Sequence, residues 1–65
     1  MAKFIITGTY AIRKDKLNLM YVPDDEPKKM CFEVEGANQI YANIFDTREE
    51  LVKEYTRILA ELEED

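Results

Sequence analysis

The stretch Asp46–Leu62, DTREELVKEYTRILAEL, decides how this chain is read. Leu51, Val52, Tyr55, Ile58, Leu59 and Leu62 fall at helical spacing and predict an apolar stripe about 120° wide. Thr47 followed by Glu50 has the form of a capping box, and Asp46 with Glu49 repeats that frame one residue earlier. Asp46, Glu49 and Glu50 also lie where the positive end of the helix dipole favours acids. The far end is the opposite case. Glu61, Glu63, Glu64 and Asp65 crowd the negative end with neither a Gly stop nor a basic residue, so the helix is expected to fray after Leu62. A single amphipathic helix cannot bury its own stripe, so the first 45 residues must supply the other half of a core.

Those residues alternate as strands do. Lys3–Arg13 reads as one strand with Phe4, Ile6, Tyr10 and Ile12 on one face. Leu17–Val22 reads as a second, with Leu17, Leu19 and Tyr21 together. A two-residue turn at Lys14-Asp15, or a four-residue loop, puts Ile12 opposite Leu17 and leaves Gly8 under the ring of Tyr21, whereas a three-residue loop splits the pattern unless a bulge compensates. Pro23–Pro27, PDDEP, is a turn. Lys28–Glu35 is a third strand, with Met30, Phe32 and Val34 sharing a face, and Gly36 marks the next turn. Gln39–Phe45 fits both a strand and a helix face. The strand reading is adopted, because a strand runs straight into the cap at Asp46 and two Asn weaken a helix.

The fold class expected is α+β: one domain over residues 1–65, a four-stranded antiparallel meander with the C-terminal helix packed on one face. Its inner face carries Phe4, Ile6, Tyr10, Ile12, Leu17, Leu19, Tyr21, Met30, Phe32, Val34, Ile40 and Ile44. One helix covers one face. The other face then holds Ile5, Met20, Val22, Cys31, Tyr41 and Phe45, apolar residues where a wet antiparallel sheet alternates to polar ones. These six are the expected partner-binding or dimer surface.

Sixty-five residues make a small core, and a single cysteine leaves it without an internal disulfide. The lone Cys31 points to a reducing, cytoplasmic setting. No apolar run is long enough for a signal peptide or a membrane span. Charge is unevenly placed: six bases against six acids up to Phe45, then three against eight, so the whole net charge of −5 belongs to the last twenty residues. Such acidity keeps a chain soluble and disfavours direct nucleic-acid binding. The basic clusters Arg13-Lys14-Lys16 and Lys28-Lys29 fall at opposite ends of the expected sheet and form no continuous stripe.

Catalytic chemistry has little to work with. The chain has no histidine, which removes the commonest general base and metal ligand. Cys31 has no imidazole to activate it. Asp24-Asp25-Glu26 lacks the alternate spacing and the glycine of a calcium loop, and Thr7-Gly8-Thr9 is not a phosphate loop. No catalytic residue, metal or cofactor is expected. The leading expectation is a non-enzymatic module that binds a protein, as inhibitors and accessory proteins of phages and mobile elements do, and that forms a homodimer. The second is a small-ligand or nucleotide binder that stacks its ligand on Tyr10, Tyr21 or Tyr41.

Overall fold

The computed structural model describes residues 3–64. Five strands, β1 (Phe4–Thr7), β2 (Tyr10–Arg13), β3 (Leu17–Tyr21), β4 (Lys29–Val34) and β5 (Tyr41–Ile44), precede one helix, α1 (Arg48–Leu62). The class is α+β, as expected, but the strands form two antiparallel sheets: the pair β1-β2 and the triplet β3-β4-β5. A three-residue 3₁₀ turn at Lys14–Lys16 joins the sheets, so β2 and β3 do not pair as expected and Gly8 is not set opposite Tyr21. Both sheets and α1 close on one core of Ile5, Ile12, Met30, Phe32, Leu51 and Ile58.

The expected strand Lys3–Arg13 is a hairpin. Gly8 and Thr9 form its loop, and Gly8 alone of the two has positive φ, 61°. Glycine first in a two-residue loop is the requirement of a type II′ hairpin. Such a loop pairs Thr7 with Tyr10 and Ile5 with Ile12. Paired residues share a face, so the inward set changes from odd numbers before the loop to even numbers after it. Ile5 and Thr7 are therefore buried, whereas Phe4 and Ile6 are exposed.

A second change of parity occurs in β3. Leu17 pairs with Val34 and Leu19 with Glu33, so Asn18 is an extra residue, a bulge. Leu17, Met20 and Val22 pack on the core, and Leu19 and Tyr21 turn to the other side. In β4 the expected phase stands, with Met30 and Phe32 fully buried. The strand reading of the next segment also stands, as β5. Its phase is reversed, because Tyr41 pairs with Phe32 and Asn43 with Met30. Tyr41 and Phe45 pack on the core, and Ile40 and Ile44 are exposed.

Helix α1 begins as its sequence requires: Thr47 is the N-cap, and its Oγ1 accepts from the Glu50 amide at 3.1 Å. It ends at Leu62, where the acids were expected to stop it. The missing basic residue comes from elsewhere in the chain, since Lys14 Nζ donates to the Glu61 carbonyl at 2.6 Å. The buried stripe is narrower than expected. Leu51 and Ile58 are in the core with Tyr55 and Leu62 against it, while Val52 and Leu59 stay 47% and 43% exposed.

A polar network ties α1 to both sheets. Thr7 is buried, and its Oγ1 accepts from Asn43 Nδ2 at 2.9 Å. Arg57 binds Glu54 with two nitrogens, at 2.7 and 2.9 Å, pairs with Glu61, and donates to the Ile6 carbonyl at 2.6 Å. The hydrogen bonds from Arg57 hold the Glu54 carboxyl below its ordinary pKa against the opposing effect of burial, with the Thr7 hydroxyl contributing. A depressed folded pKa adds stability that is complete above the unfolded value and is lost as pH falls through the folded one. Glu54→Gln should therefore flatten the acid limb of the stability curve, as read by urea melts between neutral pH and pH about 3. Parallel acid limbs for the two proteins would mean that Glu54 gains nothing from Arg57.

Candidate functional site

The surface left open by this packing is the outer side of β3-β4-β5. Register places three rows of side chains on it. Tyr21, Cys31 and Ala42 form the middle row. Leu19 and Glu33 lie to one side, with Ile40 beside Glu33, and Lys29 with Ile44 lies to the other. Leu19, Ile40 and Ile44 are 48%, 53% and 78% exposed. Three large aliphatic side chains are thus exposed on one small sheet face, Leu19 separated from Ile40 by Glu33 and Ile40 from Ile44 by Ala42.

The charges on this face are placed with equal regularity. Lys29 and Glu33 lie on the central strand two residues either side of Cys31. Lys29 Nζ is 3.2 Å from a Glu26 carboxylate oxygen, and that hydrogen bond raises the lysine pKa further. Glu33 is exposed. Cys31, although on the outer side, is only 3% exposed. Tyr21 lies opposite it, and the Tyr21 hydroxyl pKa is raised by desolvation first and by the neighbouring thiol second.

The six residues expected to form this face do not form it. Ile5 is in the core, and Met20, Val22, Tyr41 and Phe45 pack against it. Cys31 alone lies on the outer side, and it is buried there. The reason is the parity changes: the hairpin loop inverts β1, the bulge inverts β3, and pairing with β4 selects the aromatic side of β5. One signal for the hairpin was present in the sequence, a glycine between two threonines inside an otherwise apolar run. Asn18 carries no such signal. For β5 the two phases offer Ile40, Ala42 and Ile44 or Tyr41, Asn43 and Phe45, and the larger rings of the second set were the only pointer inward.

The three tyrosines of the ligand-binding reading are separated. Tyr21 belongs to the outer face, whereas Tyr10 and Tyr41 meet on the inner side with ring centroids 5.3 Å apart at 59°. Among the described residues no group of acids and cysteine is placed to hold a metal ion, and no helix is long and apolar enough to cross a membrane. No protein-family model matches the chain, and neither a curated protein nor a solved structure resembles it significantly.

Proposed function

We propose that this chain is a small protein-binding module with no catalytic step of its own, and that it binds through the outer face of β3-β4-β5. The observation that carries this reading is the exposure of Leu19, Ile40 and Ile44 on one sheet face that neither α1 nor the β1-β2 hairpin covers. Burying such side chains contributes about 25 cal/mol per Å² of apolar surface removed from water. The absence of histidine agrees with a binding role.

The partner this face fits is a second copy of the chain. Lys29 and Glu33 are equidistant from Cys31 along β4 and opposite in charge. A two-fold axis lying in the contact plane, across the strands at Cys31, sets Lys29 against Glu33 of the second copy. The same axis sets Ile40 against Ile44 of the second copy. One operation matches both the charges and the two isoleucines, as an isologous interface requires. Strand spacing of about 4.8 Å and a rise of about 3.4 Å per residue give a contact of roughly 300 Å² per copy. That is well below the about 800 Å² per partner of a standard interface, so the dimer is weak and concentration-dependent.

Sedimentation equilibrium at high micromolar concentration tests this. The wild type should show a monomer–dimer equilibrium above the 7.7 kDa monomer mass. Lys29→Glu and Glu33→Lys should each abolish it through like-charge contacts, and the double exchange should restore it. A wild type that stays monomeric removes the proposal. A dimer indifferent to all three variants moves the contact to another surface.

A further inference from the structure

A second concave surface lies away from that face, in the seam between the two sheets. Tyr10, Tyr41 and Val34 wall a groove of about 340 Å³, and Arg13 and Lys16 stand at its margin. Among the described residues β2 pairs only with β1, and its other edge runs along the groove. The volume is at the small end of ligand pockets, which run from about 300 to 1,000 Å³.

Its chemistry is divided in two. Both tyrosine rings are half-buried and offer aromatic surface to a flat group. The two cations offer charge to an anion, and a guanidinium suits the paired oxygens of a phosphate. Their present partners are exposed and readily exchanged: Asp15 is 3.0 Å from Arg13, and Glu35 is 3.1 Å from Lys16. A net charge of −5 opposes a polyanionic strand far more than a single phosphate.

We propose that this groove binds a nucleoside monophosphate, with its base against Tyr10 and Tyr41 and its phosphate between Arg13 and Lys16. The site is independent of the outer sheet face, so either reading can fail without the other.

Titration of the full chain with AMP, adenosine and inorganic phosphate, followed by amide NMR at low salt, tests it. AMP should shift the amides of Tyr10, Arg13, Lys16, Val34 and Tyr41 saturably, and adenosine should bind those positions at least about tenfold more weakly, as expected for loss of the phosphate's charge-assisted contacts to the two cations. Phosphate alone should not saturate them. Arg13→Gln with Lys16→Gln should weaken AMP about tenfold and leave adenosine unchanged. Ala11→Glu, an exposed change on β2, should have the same effect by repulsion should the double variant lose its native spectrum. Three results would overturn the proposal: no localised shift up to millimolar AMP, equal shifts with phosphate, or AMP affinity unchanged in the folded variants.

Discussion

Ile58→Ala should unfold the protein or lower its melting temperature by more than about 10 °C, while Leu59→Ala, one residue on, should move it by only a few degrees. Ile58 is fully buried between the sheets, and Leu59 is 43% exposed. Removing a buried isoleucine costs about 2–5 kcal/mol, because transfer energy is lost and a cavity remains. A domain of this length has roughly 3–10 kcal/mol in all, and each kcal/mol is worth about 4–8 °C at this size. Leu59 loses much less, since nearly half of its side chain is already in water. Thermal melts of the two variants side by side decide the matter. Equal losses would mean that the helix is rotated about its axis from the orientation described, toward the wider stripe its sequence predicts.

Gly8→Ala should cost about 2–5 kcal/mol although the residue is exposed and the change adds one methyl group. Two effects combine. The loop holds Gly8 at φ 61°, where an L side chain costs about 1–2 kcal/mol. A Cβ there would also collide with Asn43 Oδ1 and lie 2.8 Å from its Cγ. Asn43 cannot simply turn aside, because its Nδ2 holds the hydroxyl of the buried Thr7 at 2.9 Å. Leaving that hydroxyl unpaired costs about 1–3 kcal/mol. A double-mutant cycle separates the two effects. In an Asn43→Ala background the steric part vanishes, so Gly8→Ala should cost only the conformational part. A full cost in both backgrounds would place the whole effect in the backbone, and a negligible cost in the wild type would contradict the turn geometry itself.

The helix was legible in the sequence because its signals are local. The Thr47 cap, the acids of the first turn and the stop at Leu62 depend on residues within a turn or two of each other. β4 was legible for a similar reason: Met30, Phe32 and Val34 alternate without interruption, and the strand pairs on both sides. The α+β class, with one helix and otherwise strands, follows from these periodicities alone.

The faces of β1, β3 and β5 were settled by pairing. Side chains alternate with a period of two, so a single inserted residue or a two-residue loop exchanges inside for outside along everything beyond it. Gly8-Thr9 does this to Ile5 and Ile6, and Asn18 does it to Leu19 and Met20. For β5, where both phases are apolar, the partner strand made the choice by setting Tyr41 opposite Phe32. The same dependence governs the two candidate sites. Leu19, Ile40 and Ile44 share a surface, and Tyr10 meets Tyr41, only once the register of three separate strands has been fixed, and register is a property of the assembled sheet rather than of any one segment.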